Sequence, residues 1–325
     1  MSYNIPKKTD GRKTMILSAS RRTDIPQFYS DWFFNRLKEG YACVRNPMNS
    51  HQISRIDLSP EQVELIVFWT KNPEPMLRRL PELKGIPCYI HFTLTGYGRD
   101  VEPRMPDKKH LIEVFQKTAD QVGKDCMAWR YDPIFFNDRY TEKYHLHAFE
   151  EIACRVGGFA DKVIISFLDM YGKTVRNMRG IETEKLEEEQ MLKTGGKLAA
   201  IAGKYGLRIE ACGEKADLSP AGVARGSCID SAVVERLLAG PVKRKKDKNQ
   251  RMECGCMESV EIGTYDTCMS GCRYCYANDS LSAVERQRLL YEVNSPLLCG
   301  KLEEGDRITE RKAGLIREAQ ISLFR

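Results

Sequence analysis

Twelve cysteines stand in this chain, and three of them fall in one phrase, Cys268-Met-Ser-Gly-Cys272-Arg-Tyr-Cys275. Spacings of three and two put three thiolates on one tight loop, close enough to hold one polynuclear iron centre. A zinc site would want four ligands, usually in two pairs from separate knuckles. Three cysteines leave one iron of a four-iron cluster without a protein ligand. That open position can bind and activate a substrate or cofactor. The phrase follows a strand-like run, Val260-Glu-Ile-Gly-Thr-Tyr265, and precedes a helical one.

Four of the other cysteines form a second candidate group. Cys254-Gly-Cys256 lies just upstream of the loop, while Cys212 and Cys228 sit on the preceding strand–helix segment. Four thiolates suit either a second iron–sulfur cluster or a structural zinc. The plainer alternative makes Cys212 a strand residue and Cys228 a small residue at a helix start, with no metal. Cys43, Cys88, Cys126 and Cys154 read as packed small hydrophobes, and Cys299 is left unassigned. Among the five histidines only His91 falls on a polar strand face, where a satisfied histidine is expected before a ligand. No Ser-His-Asp arrangement, P-loop or Gly-x-Gly-x-x-Gly phrase is present, so hydrolase, NTPase and dinucleotide-binding readings lack support.

The elements that must position these residues alternate short β-rich runs with helical stretches, the pattern of a parallel sheet flanked by helices. Strands are expected at 14–18, 64–70, 88–95, 126–131, 162–168, 208–212 and 259–265, and helices at 27–39, 75–79, 109–122, 147–156, 184–205 and 281–293. Every strand but the last ends in a polar phrase: Ser18-Ala-Ser-Arg-Arg-Thr-Asp24, Trp69-Thr-Lys-Asn-Pro73, Thr93-Leu-Thr-Gly-Tyr97, Trp129-Arg-Tyr-Asp-Pro133, Phe167-Leu-Asp-Met-Tyr-Gly172 and Glu210-Ala-Cys-Gly-Glu214. In parallel α/β architectures the carboxyl ends of the strands form the ligand face, so the six phrases should share one mouth. Ordinary turns would explain Asp, Asn, Gly and Pro there, but not Arg, Lys, Trp and Tyr. Alternation in 88–95 puts Tyr89, His91, Thr93 and Thr95 on one face, which suits a polar binding interior.

Composition sets the outer bounds. With 325 residues, 42% of them hydrophobic and 9% aromatic, the chain has ample material for a packed core, which excludes wholesale disorder. A formal charge of +6 suits an anionic small molecule, a nucleotide or a nucleic acid. No run approaches a transmembrane span, and the polar Met1–Thr14 stretch is not a signal peptide, so no membrane partner and a cytoplasmic setting with reduced thiols are expected. The run Lys243-Arg-Lys-Lys-Asp-Lys-Asn-Gln-Arg251 carries six positive residues against one negative. It reads as a solvated linker, with a nucleic-acid contact as the sharper alternative.

At Cys268–Cys275 the chain resembles the radical S-adenosylmethionine superfamily, whose signature is CxxxCxΦC with an aromatic Φ, here Tyr274. Gly271-Cys-Arg-Tyr-Cys-Tyr276 is similar to the phrase in many members, spore photoproduct lyases included. Over most of its length the chain also resembles the family called domain of unknown function 1848. That likeness rests on Ser20-Arg-Arg-Thr-Asp-Ile-Pro26, Phe68-Trp-Thr-Lys-Asn-Pro73, Trp129-Arg-Tyr-Asp-Pro133 and the C-terminal cysteines.

The resemblance implies a [4Fe–4S] cluster on Cys268, Cys272 and Cys275, with the amino and carboxylate groups of S-adenosylmethionine on the fourth iron. It implies one-electron cleavage of the sulfonium to methionine and a 5′-deoxyadenosyl radical, with Tyr274 against the adenine. A donor such as flavodoxin or ferredoxin would supply the electron. Two features depart from the superfamily. Its cluster loop follows the first barrel strand, whereas here it follows the last; a circular permutation that docks 259–265 beside 14–18 reconciles them. No Gly-Gly-Glu phrase is present to contact the methionine amino group, and Ser18, Ser20, Arg21 and Arg22 are the substitutes by position.

The expected fold is therefore α/β, a permuted and incomplete (β/α) barrel. Its body spans 1–240, a basic linker spans 241–252, and the cysteine-rich segment 253–325 completes it. Arg21, Arg22, Asp24, Lys71, Arg130, Asp132 and Glu214 are expected to contact cofactor or a small-molecule or nucleotide-like substrate. The rival expectation is a nucleic-acid-binding protein with thiolate zinc or iron–sulfur sites and no catalysis, contacting phosphates through 243–251.

Overall fold

The computed structural model describes residues 13–314, 316 and 317, so most of the polar N-terminal stretch and the end of the 253–325 segment lie outside the described residues. Eleven strands are present among them: β1 (Met15–Ser18), β2 (Tyr41–Asn46), β3 (Asn49–Asp57), β4 (Val63–Thr70), β5 (Cys88–Thr93), β6 (Met127–Ile134), β7 (Lys162–Phe167), β8 (Arg208–Cys212), β9 (Ala224–Gly226), β10 (Val260–Glu261) and β11 (Arg307–Glu310). Eight of them form one sheet in the order β10-β1-β4-β5-β6-β7-β8-β9, parallel throughout. All seven expected strands have a counterpart in it, though the one expected over 259–265 is only the two residues Val260 and Glu261. The strand before the cysteine loop docks on the first strand, with Leu17 opposite Val260 and Ser18 opposite Glu261.

The strands read as near-continuous apolar runs because both faces are covered. On β4, Phe68 packs outward on Phe33 of a helix while Trp69 points inward onto the His91 ring. On β6, Trp129 and Tyr131 face Phe149, which leaves Arg130 and Asp132 on the inner side. The helices among the described residues are α1 (Ile25–Phe28), α2 (Ser30–Glu39), α3 (Glu74–Leu77), α4 (Lys108–Val122), α5 (Glu142–Val156), α6 (Gly172–Asn177), α7 (Glu188–Lys204), α8 (Ser231–Leu238) and α9 (Leu281–Arg288). Asp107 caps α4, whose buried Leu111, Val114, Phe115, Thr118, Ala119 and Val122 trace one face at helical spacing.

No strand ladder joins β9 to β10 among the described residues, yet the two edges approach. Met257, ahead of β10, donates its N–H to the carbonyl of Ile229, just past β9, at 3.0 Å. His91, in the middle of the sheet, donates from Nε2 to the carbonyl of Cys228 at 2.7 Å, so the sheet is strongly curled around its interior.

Several expectations need correction. The helix expected over 27–39 is two, broken at Tyr29, whose backbone leaves the helical region at φ −135° and whose hydroxyl donates to the carbonyl of Thr267 at 2.6 Å. The helix after the cysteine loop ends at Arg288. The hairpin β2–β3 and its parallel neighbour β11 were not expected at all; they form a second, three-stranded sheet. The tail packs on it and on α2, Cys43 of β2 donating its N–H to Pro296 and Trp32 of α2 its indole N–H to Ser295, both at 2.8 Å. Cys154, expected to be packed, is exposed.

The basic run is solvated at most of its side chains, as a linker would be, but its backbone is anchored. Asp247 is buried and donates its N–H to the carbonyl of Cys256 at 2.9 Å, and Lys246 bridges to Met257. No helix among the described residues is long and apolar enough to cross a membrane.

Candidate functional site

The carboxyl ends of the strands surround a cavity of about 770 Å³, and all six polar phrases contribute to it. Of the expected site residues, Ser20, Arg21, Arg22, Asp24, Lys71, Arg130, Asp132 and Tyr274 line this cavity, as do all seven cysteines of the two groups. Ser18 and Glu214 do not. Among the described residues, no three His, Cys, Asp or Glu side chains are gathered as a ready-made site for a single metal ion. The cysteines instead border a void.

The loop that carries Cys268, Cys272 and Cys275 is held from several sides. Asn278 donates from Nδ2 to the carbonyl of Cys268 at 2.7 Å, Arg273 donates its N–H to the carbonyl of Val101 at 2.9 Å, and Ala277 donates its N–H to Cys275 Sγ at 3.3 Å. Gly271 has φ +69°, a turn that L side chains rarely adopt, which lets the chain double back between Cys268 and Cys272. Burial pushes the Cys268 thiol up to about 12 and raises Cys272 and Cys275 likewise. A metal centre would have to displace their protons on binding.

The four-cysteine group behaves differently. Cys212 and Cys228 are in sulfur–sulfur contact at 3.2 Å, Ile229 donates its N–H to Cys256 Sγ at 3.5 Å, and Arg130 donates from Nη1 to Cys228 Sγ at 2.9 Å. Contact with Cys256 draws Cys254 down to about 6; contacts with Cys212 and Cys228 lower Cys256 as well, and contacts with Cys228 and Cys256 raise Cys212. Two guanidiniums, those of Arg130 and Arg21, stand beside these sulfurs.

Several expected residues are occupied in holding the mouth together. Both Asp24 oxygens accept backbone N–H groups, from Gln27 at 3.0 Å and Lys71 at 2.7 Å, and burial still raises the carboxyl to about 6. Ser20 accepts the N–H groups of Arg22 and Thr23, and Ser18, outside the cavity wall, donates to Glu261 at 2.8 Å. Arg21 lies over the Trp69 ring at 4.6 Å and donates to Ser259, while Arg22 lies over Tyr265 at 4.9 Å. Arg130 grips Asp132 through Nε and Nη2, and Asp132 also takes the Ser166 hydroxyl. Glu214 accepts the N–H of Phe167 at 2.7 Å, and burial followed by Asp169 and Asp132 raises it to about 7. Of the polar face expected on β5, only Thr93 reaches the cavity; His91 is buried, and burial pushes it down to about 3, so it is neutral.

Sequence reasoning missed Glu102. It is buried, accepts from Lys71 at 2.7 Å, Lys108 at 2.5 Å and Thr95 at 2.7 Å, and takes the Tyr274 hydroxyl as well. Burial opposes its ionisation, but the two ammonium groups hold it at about 2. Nothing in Arg99-Asp-Val-Glu-Pro-Arg104 distinguishes this acid from a surface loop. Lys173, Arg176 and Arg251 were missed too; with them the cavity wall carries seven cationic side chains against three acidic ones.

No curated protein matches the chain. The family whose members share a domain of unknown function, DUF1848, matches residues 16–277, a span that takes in the eight-stranded sheet and all seven cavity cysteines, and the chain belongs to that family.

Proposed function

We propose that this chain is a radical S-adenosylmethionine-type iron–sulfur enzyme that works on a small anionic or nucleotide-like substrate. The observation that carries the reading is the shared wall: three cysteines on one loop face a single cavity into which every strand-end phrase projects. The donor set fits a [4Fe–4S] group, since three buried thiols on one loop leave a corner for a ligand from the cavity. Bound there, such a cluster supplies the electron that cleaves S-adenosylmethionine reductively. The curled parallel sheet, with β10 beside β1, then corresponds to a permuted (β/α) barrel.

The chain's own residues have separable tasks in this reading. Cys268, Cys272 and Cys275 hold the cluster. Lys71, fixed on Glu102 with its ammonium 5.5 Å from the Tyr274 ring, keeps a positive charge at the wall beside Cys272; burial works against that charge and Glu102 outweighs it. Arg22, Lys173, Arg176 and Arg251 present cations to an anionic group. Tyr274 cannot swing freely, because its hydroxyl is tied to Glu102 and its ring packs beside Tyr97 at 5.8 Å; it offers a fixed aromatic surface to an adenine. A cytoplasmic, reducing setting and a donor of the flavodoxin or ferredoxin kind belong to the same proposal.

Anaerobically reconstituted protein should absorb broadly in the visible and, on reduction, convert S-adenosylmethionine to 5′-deoxyadenosine. Cys272→Ala should abolish that conversion, and conversion that survives it would exclude the ligand assignment. Colourless protein carrying stoichiometric zinc would instead favour a metal–thiolate nucleic-acid-binding protein.

A further inference from the structure

Cys212, Cys228, Cys254 and Cys256 come from three places in the chain and meet at the seam of the large sheet. Cys212 is the last residue of β8, and its partner across the ladder to β9 is Gly226, two residues before Cys228. Cys254 and Cys256 precede β10, at the opposite edge of the sheet. Only one backbone hydrogen bond among the described residues, from Met257 to Ile229, joins the two edges here. The four thiols stand where a strand ladder would otherwise close the sheet, and all four are less than a tenth exposed.

The surroundings favour a group that carries negative charge and accepts N–H hydrogen bonds at sulfur. Arg130 and Ile229 already donate to Cys228 and Cys256. Arg21 lies beside Cys256 and Cys228, and its Nη2 is buried without a hydrogen-bond partner among the described residues. A buried guanidinium nitrogen left without an acceptor is costly. An acceptor placed among these sulfurs would satisfy it.

We propose that these four cysteines hold a second iron–sulfur cluster, of the [4Fe–4S] class, distinct from the one assigned to the Cys268 loop. Four thiolates saturate a cube, so this centre presents no open iron. Its net negative charge is offset by Arg21 and Arg130, and N–H groups directed at ligand sulfurs are the ordinary means by which a protein tunes such a cluster. A structural zinc is closed on all sides by its ligands. These thiols border the cavity, where a cube has room to project once the Cys212 and Cys228 sulfurs, in contact here, turn apart to reach separate irons. The site stands on its own residues and does not depend on the reading of the Cys268 loop.

The test is iron and acid-labile sulfide analysis, with Mössbauer spectroscopy, of full-length protein purified and reconstituted anaerobically. A Cys268→Ala/Cys272→Ala/Cys275→Ala variant should retain about four irons and four sulfides per chain, and adding Cys254→Ala and Cys256→Ala should remove them. If the triple variant fails to fold, the wild-type protein decides: about eight irons in two distinguishable environments support the second cluster, whereas about four irons that vanish in Cys272→Ala overturn it. An iron-free triple variant with wild-type circular dichroism, one zinc per chain lost with Cys254 and Cys256, or a Cys212–Cys228 disulfide in place of metal would each overturn it too. Failure of the Cys268 loop as a cluster site gives a different pattern, with iron equal in wild type and triple variant and still dependent on Cys254 and Cys256.

Discussion

Replacing Glu102 by Gln keeps the size of the side chain and removes one buried negative charge. The carboxylate is 2% exposed and is shared by the ammonium groups of Lys71 and Lys108, the Thr95 hydroxyl and the Tyr274 hydroxyl. Its pKa falls from the ordinary 4.5 to about 2. At roughly 1.36 kcal/mol for each factor of ten in proton affinity, that fall corresponds to about 3 kcal/mol of stability at neutral pH. The native state holds this proton less tightly than the unfolded chain, so the contribution is complete above pH 4.5 and is lost as pH falls toward 2. Glu102→Gln should therefore cost about 3 kcal/mol at pH 7, and the gap to wild type should close as the pH is lowered from 5 toward 3. Guanidinium unfolding across that range reads both effects. Adding Lys108→Met, which removes one stranded cation, should recover part of the loss. A cost under about 1 kcal/mol at pH 7, or a gap that does not change with pH, would refute the account of Glu102 as the anchor of Lys71 and Tyr274.

Two further changes probe the frame of the cavity. At Gly263 an added Cβ would lie 1.8 Å from Ser20 Oγ, the atom that accepts the N–H groups of Arg22 and Thr23. Gly263→Ala should cost about 1–3 kcal/mol in thermal or denaturant unfolding, with relief when Ser20→Gly is added, and a neutral result would mean the β1–β10 mouth is not tightly packed. Glu214 has its carboxyl raised from 4.5 to about 7, so its native state holds the proton more tightly and stability should decline as pH rises from 4.5 through 7. Glu214→Gln keeps an acceptor for Phe167 and should stabilise the protein by up to about 3 kcal/mol at pH 8; an unchanged slope of stability against pH would discard this reading.

Much of the frame was legible in local pattern. Apolar runs of strand length, separated by amphipathic stretches, placed the central strands β1, β4, β5, β6 and β7, which are buried on both faces and largely apolar along their length. Their polar termini pointed to one mouth because parallel strands deliver all their carboxyl ends to the same side. The three-cysteine loop was likewise visible, since its partners are neighbours in sequence.

What escaped depends on partners distant in sequence. In the hairpin β2–β3 the second strand is polar except for Ile53 and Ile56, and its companion β11 is four exposed residues long; only their mutual pairing makes them a sheet. Glu102 looks like any loop acid until Lys71, 31 residues away, and Tyr274, 172 residues away, close around it. Arg251 belongs by composition to a solvated basic run, yet the anchoring of Asp247 on Cys256 folds its backbone back so that this side chain, with Gln250, reaches the cavity. Spacing along the chain nominates Cys212, Cys228, Cys254 and Cys256 as thiols of the same type. Only the curl of the sheet, which brings its first and last edges within one hydrogen bond of each other, makes them neighbours, because sequence encodes each strand's two faces but not how far the whole sheet must bend to bury them.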